Sequence, residues 1–303
     1  GGGFGEREGF FGFVDLNANN LRGLGQGLLA KGQFGQNIQT YQFRYYVPWI
    51  LPDLLGKRSS LTLRRYLTQG RDIFITDRSG IYNGYEASIT KPFSDIFSTT
   101  YSIGREQVVP ADTATFESYV GTTLGFSVSH DSRDFILDPH SGNFTTVGIR
   151  QGFTDFETSL ATSFTKYSID YNQFFPVNPV QTAALHVGAG IGKGDIPLGE
   201  LFYIGGPNTV RGFNPSEVHT GRHKLLANLE YRYRFNETLQ GVLFYDWGNA
   251  WTSGGPVPGD FLSSIGFGLR LNTPLGPLRL DFGVGAGRGL GEGITHFSIG
   301  HAF

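Results

Sequence analysis

From Ala227 to Phe235 the chain reads Ala-Asn-Leu-Glu-Tyr-Arg-Tyr-Arg-Phe, apolar or aromatic at every odd position and polar at every even one. Period-two alternation is the mark of an extended strand with two unlike faces. Here it recurs in segment after segment to the C-terminus, where Phe297, Ile299 and Phe303 share a face with His301 between them. The segments run about ten residues or more, the length a tilted strand needs to cross a bilayer. No run of 18 apolar residues exists, so no membrane helix is on offer. A soluble sandwich would also alternate. Aromatics at segment ends (Tyr45, Tyr46 and Trp49; Phe174 and Phe175; Trp247 and Trp251) favour the membrane, as does a polar face carrying Arg, Glu, Asp and Gly.

The alternation predicts strands at 1–6, 9–18, 26–36, 39–47, 58–68, 80–91, 95–106, 117–130, 143–152, 158–173, 180–193, 223–235, 239–248, 261–272, 277–287 and 294–303. These sixteen make one all-β domain over 1–303, a transmembrane antiparallel β-barrel whose even parity brings both ends to the periplasmic side. Short turns (91–95, 236–238, 273–277) alternate with long external loops near 69–79, 107–116, 194–222 and 249–260. No Cys is present, which excludes disulfides, thiol nucleophiles and Cys-ligated metals, and a net charge of −2 gives no nucleic-acid footprint. The chain has no Met, even at position 1, and no signal peptide, and so reads as a processed or truncated piece.

The longest loop holds Ile204-Gly205-Gly206-Pro207-Asn208-Thr209-Val210-Arg211-Gly212-Phe213, a turn that presents Arg211 at a hairpin tip. By itself Arg211 reads as an exposed loop arginine. Glu230 and Asp246, however, face inward on neighbouring strands by the same alternation, and an infolded arginine would pair with both. The rival is two hydrated acids in an open pore. His219 and His223 lie in a loop rather than on a helix face, Gly285–Gly289 lacks the helix a phosphate loop needs, and Ser132 has no placed His, so neither a metal, a cofactor nor catalysis is implied.

These residues resemble the barrel domain of the outer membrane protein 85 superfamily, the BamA/TamA-like assembly and translocation proteins. Val210-Arg211-Gly212-Phe213 is similar to the signature of that family's sixth external loop, and Phe244-x-Asp246-x-Gly248 to its second signature. Supporting similarities are Asn20–Gly25, Val47-Pro48-Trp49, Asp131-x-Arg133-Asp134 with Pro139 and Gly142, Thr273–Leu278 and the closing Phe297-x-Ile299-Gly300-x-x-Phe303. The resemblance implies that Arg211 folds into the lumen against Asp246 and Glu230. It implies upstream periplasmic POTRA domains, a bacterial outer membrane, and client β-barrel or secreted polypeptides as partners, with room for accessory lipoproteins or periplasmic chaperones.

Closure must join the first strand to the last. Gly1, Gly2, Gly3 and Gly5 around Phe4 weaken the first, and Gly300 is a candidate kink in the last. Such a seam is expected to pair poorly and to open for a client strand to add by β-augmentation; the plainer reading is that the glycines relieve curvature. The expected function is therefore a non-enzymatic insertion factor for outer-membrane proteins. Alternatives are a two-partner secretion pore, a translocation barrel fused to a secreted enzyme, and a diffusion porin.

Overall fold

The computed structural model describes residues 2–5, 9–50, 59–70, 79–113, 117–273 and 276–299. Its strands are β1 (Gly2–Gly5), β2 (Gly9–Leu21), β3 (Gln26–Gly35), β4 (Ile38–Val47), β5 (Ser60–Gly70), β6 (Gly80–Pro92), β7 (Phe97–Pro110), β8 (Tyr119–Asp131), β9 (Gly142–Phe156), β10 (Thr162–Asn178) and β11 (Gln181–Gly194). The last seven are β12 (Phe202–Ile204), β13 (His219–Gly221), β14 (His223–Arg234), β15 (Leu239–Trp251), β16 (Leu262–Thr273), β17 (Gly276–Gly285) and β18 (Ile294–Ile299). Sixteen of them form one sheet in chain order, β1 to β11 and then β14 to β18. The remaining two, β12 and β13, pair only with each other inside the long connection.

Each of the sixteen expected strands is present, with shifted ends. β7 runs to Pro110 and β15 to Trp251, so ladder replaces part of the loops expected at 107–116 and 249–260. The connection at 194–222 is not bare loop: it carries β12, β13 and two 3-10 turns, pieces too short for a periodic signal. Most of the loop expected at 69–79 lies outside the described residues, as do Pro274 and Leu275 of the 273–277 turn.

Packing divides the chain into two compact units. One comprises Gly1–Ser129, Gly148–Tyr167 and Lys193–Glu200, the other His130–Val147, Ser168–Gly192 and Leu201–Phe303. In the first, Leu63, Tyr85, Tyr101 and Ile103 are exposed on the outward face. The opposite face lines a cavity of about 610 Å3 with polar groups, among them Arg64, Tyr66, Glu106 and Glu200. Arg64 Nη2 donates to Glu86 Oε2 at 3.1 Å, a cross-strand pair of the kind that stabilises a ladder, and the Tyr66 hydroxyl passes over Gly84 of β6 to donate to Glu106 Oε1 on β7 at 2.5 Å.

In the second unit Leu229, Tyr231, Tyr233, Leu243, Tyr245, Ile265, Phe267 and Leu269 point outward, while Asn228, Glu230, Arg232, Asp246, Arg270, Arg279 and Asp281 on alternate positions are buried. Phe174, expected in an aromatic girdle, is 1% exposed: of two adjacent aromatics on a strand one must face inward, and Phe175 takes the outward place. Arg133 forks onto Asp131 at 2.7 and 2.8 Å, and Asp134 caps the turn by accepting from the amides of Phe135 and His140. Gly142 closes that turn at φ +92°, with Ser132 O where a Cβ would stand.

Candidate functional site

The second unit's inner wall is built so that a loop can lie against it. On β14 the inward residues are Asn228, Glu230 and Arg232, and on β15 they are Phe244 and Asp246, with Asn228 opposite Asp246 and Glu230 opposite Phe244. β16 and β17 answer with glycines. A Cβ on Gly266 would strike the Phe244 ring, one on Gly268 the Asp281 carboxylate, and one on Gly283 the backbone of Gly212. Small residues in the wall thus leave room for large ones and for a second layer of backbone.

Residues 204–213 occupy that space. Gly206 N donates to Val210 O at 3.0 Å and Gly205 N to Thr209 Oγ1 at 2.8 Å, which folds the tip. Ile204, Val210 and Phe213 then bury against Leu226 and Ala250, with Leu262 at the margin, a small apolar core inside a polar wall. Gly248 makes this seat, since a Cβ there would crowd Leu225 O and Ile204 Cγ2. Gly212 holds φ +83°, a conformation costly to any residue with a Cβ, and the added atom would lie 2.7 Å from Gly283 C.

Arg211 is 1% exposed, and each side of its guanidinium is occupied. Nε and Nη2 donate to the two Asp246 oxygens at 2.7 Å each, and the Arg211 amide adds a 3.1 Å bond to Asp246 Oδ2. Nη1 donates to Glu230 Oε1 at 2.7 Å and lies 3.6 Å from Asp281 Oδ2. The Phe244 ring receives the flat face, 3.5 Å from Cζ to centroid. Burial opposes the charge, but the carboxylates of Asp246 and Glu230 outweigh it and hold the guanidinium protonated beyond its ordinary range.

The cluster extends past the residues that sequence singled out. Asn228 Nδ2 donates to Asp246 Oδ1 at 2.8 Å and to Thr209 O at 2.6 Å. Arg232 pairs with Glu230 at 2.8 Å, and Arg270 with Asp281 at 2.5 Å. Arg279 reaches Asp281 at 3.1 Å and the loop carbonyl of Pro207 at 2.8 Å. From the last strand, His296 Nε2 accepts the Gly212 amide at 2.9 Å. Four arginines and three carboxylates thus meet under the loop. Each of these additional residues has inward parity, which is the sole mark it carries in sequence. Above the cluster Arg288 stacks on Phe213 and pairs with Glu217.

In the first unit the beginning of the same loop is held by Glu200, whose carboxylate lies 3.1 Å from Lys166 Nζ and 3.5 Å from Arg150 Nη2. The two histidines expected in the loop sit on strands instead: His219 opens β13, with Nδ1 2.8 Å from Asn249 Oδ1, and His223 opens β14 and packs on Trp251. Of the expected seam, Gly2, Gly3, Phe4 and Gly5 form β1, in register with Gly12, Phe11, Phe10 and Gly9. Phe297 and Ile299 lie on β18 opposite Leu280 and Leu278. Gly1, Gly300 and Phe303 lie outside the described residues.

Comparison with known proteins places this architecture. The Omp85 superfamily domain matches residues 20–303. Outer envelope protein 80, chloroplastic, of Oryza sativa subsp. japonica is 27% identical over 92% of the chain, which spans 45% of that protein's length. The outer membrane protein assembly factor BamA of Nitratidesulfovibrio vulgaris is 32% identical over 37% of the chain and 16% of its own length. Among solved structures, BamA from Haemophilus ducreyi superposes with a TM-score of 0.75 at 14% identity, over 98% of this chain and 67% of that one. CdiB from Acinetobacter baumannii gives 0.62 at 16% identity, over 98% and 58%. The chain belongs to the Omp85 superfamily and carries its sixteen-stranded transmembrane β-barrel with the long external loop folded inward.

Proposed function

We propose that this barrel is the membrane-embedded core of a factor that inserts other β-barrel proteins into an outer membrane, with Arg211 locking the long loop to the inner wall. Client strands add at the seam between β1 and β18. The observation that carries this reading is the composition of β1, in which three of the four residues are glycine and two of the register pairs with β2 set glycine against glycine, Gly2 with Gly12 and Gly5 with Gly9. Glycine adds backbone freedom and brings no side chain to pack, so such a ladder is weak. A weak edge in lipid must be satisfied by some other strand.

The chain spans less than half of the curated relatives it matches, and we assign the activity to the longer protein that carries this barrel, with POTRA domains upstream. Its proposed membrane is that of a Gram-negative-type bacterium; the plant relatives are named as chloroplast outer envelope proteins, so an organellar envelope is the alternative address. A second reading within the superfamily is a secretion pore, favoured by the polar cavity of the first unit. Reconstitution separates the two. Vesicles holding the full-length protein should speed the folding of a detergent-free barrel client over empty vesicles. Transfer of an extended polypeptide into the vesicle, with no gain in client folding, would establish the pore instead.

A further inference from the structure

An outward arginine on a membrane strand is expensive at mid-bilayer and nearly free at the interface. Among its described residues the first unit has two such residues, Arg65 on β5 and Arg105 on β7, both exposed. The ladder register puts them in one row: Phe43 is opposite Arg65, Arg65 opposite Tyr85, and Tyr85 opposite Arg105. Two ladder spacings separate the arginines, about 10 Å. Among the described residues neither pairs with a carboxylate. Arg65 Nη1 donates to the carbonyls of Tyr66 and Gly84 at 3.0 and 2.9 Å, and Arg105 Nη1 to Thr122 Oγ1 at 3.0 Å. These contacts lay each guanidinium against the sheet and leave its other N–H groups for an acceptor from outside.

The rows on either side show what that acceptor meets. Toward β5's first residue the next outward row is Tyr45, Leu63, Ala87 and Ile103, and the one beyond is Val47, Leu61, Ile89 and Tyr101, all apolar or aromatic. Toward the loop end the next row is Tyr41, Leu67, Asn83 and Gln107, and then Gln39, Gln69, Ile81 and Val109, so carboxamides enter both. The arginine row therefore marks the change from hydrocarbon to polar surroundings on this wall. An open groove of about 430 Å3, lined by Phe43, Leu63, Ala87 and Ile103 as well as by both arginines, runs beneath it.

We propose that Arg65 and Arg105, with the Tyr85 ring between them, form a binding site for the phosphate of an anionic membrane lipid, with an acyl chain lying in the adjoining groove. Arginine suits this ligand because its planar fork matches phosphate oxygens and remains charged at any working pH. The groove ties the site to a lipid rather than to free phosphate: the cation row and the apolar surface are continuous, and a soluble anion uses only the first. The site is independent of the loop and the seam, and it would fix the barrel's depth and favour membranes rich in acidic lipid.

The test is native mass spectrometry of the full-length protein released from nanodiscs. With phosphatidylglycerol the wild type should keep bound lipid, and with digalactosyldiacylglycerol, which has no phosphate, it should not. R65Q/R105Q should lower phosphatidylglycerol retention at least tenfold while its heat-modifiable mobility on gels remains that of the folded barrel. Equal retention of the two lipids by the wild type would overturn the proposal without recourse to a variant. So would unchanged retention by the double variant, or inorganic phosphate at millimolar concentration displacing the lipid.

Discussion

Replacing Arg211 by Ala should release the long loop, and the structure allows the size of the effect to be worked out. The two acids that face Arg211 do not suffer equally. Glu230 keeps Arg232 at 2.8 Å and Arg270 at 3.5 Å. Asp246 loses both guanidinium bonds and keeps only the Arg211-position amide and the Asn228 carboxamide. The seated loop would then cover a fully buried carboxylate with no cation, a situation that costs about 3–5 kcal/mol. At about 1.4 kcal/mol per factor of ten, the seating equilibrium falls roughly a hundred- to several-thousand-fold. Limited proteolysis of the full-length protein in vesicles reads this as new cleavage within residues 195–222. Adding D246N to R211A removes the uncompensated charge and should restore at least a tenfold share of the protection. Loop protection unchanged in R211A, or a double variant as open as the single, would refute the reasoning. The reversed pair R211D/D246R should restore little, because the main-chain bond from residue 211 to a carboxylate at 246 cannot be rebuilt by exchange.

Gly212→Ala should open the loop as far as R211A does, since its φ of +83° and the Gly283 backbone 2.7 Å from the new Cβ both oppose the seated state; the same proteolysis checks it. His296→Leu removes the acceptor of the Gly212 amide, and leaving that buried donor unmet should cost about 1–3 kcal/mol of loop seating, whereas His296→Gln, which can place an oxygen near the Nε2 position, should lose less. Burial raises the Glu217 carboxyl, but the Arg288 hydrogen bond and the Asn214 amide bring it below its ordinary 4.5. Its contribution is therefore complete above that pH and lost as the pH falls further, so wild-type loop protection should decline on acidification while E217Q should show no such step. Gly142→Ala puts a Cβ onto Ser132 O and should lower the refolded yield, measured by heat-modifiable mobility, without altering the loop in the molecules that fold.

Much of this fold is written in strand parity. Alternation at Leu229, Glu230, Tyr231 and Arg232 names the face of each residue, and a one-residue error would put Glu230 in lipid, so the pattern is strongly constrained. Parity also set Glu230 and Asp246 on one wall, and the turn at Gly205-Gly206-Pro207 set Arg211 at a tip. The rest depended on the loop's path, which is a tertiary property. Asp281, Arg270, Arg279 and His296 carry the same inward parity as any hydrated lumen residue, and nothing local tells a covered residue from a wet one. Gly266, Gly268 and Gly283 read as weak strand positions until the Phe244 ring, the Asp281 carboxylate and the Gly212 backbone are seen in the space they leave. Phe174 is no girdle residue for the complementary reason: Phe175 takes the outward place, and a pleated strand does not let two neighbours share one face.

The seam is where the proposed function stands or falls. These 303 residues contain no Cys, so cysteines introduced at Phe4 and Ile299 form a clean pair for crosslinking β1 to β18 in the full-length protein once any cysteine elsewhere in it is replaced by Ser. Client folding is then timed in vesicles with the pair oxidised and again after reduction. The seam reading predicts that oxidised protein inserts clients no faster than empty vesicles do and that reductant restores the rate. Full insertion by protein that gels show to be completely crosslinked would contradict it.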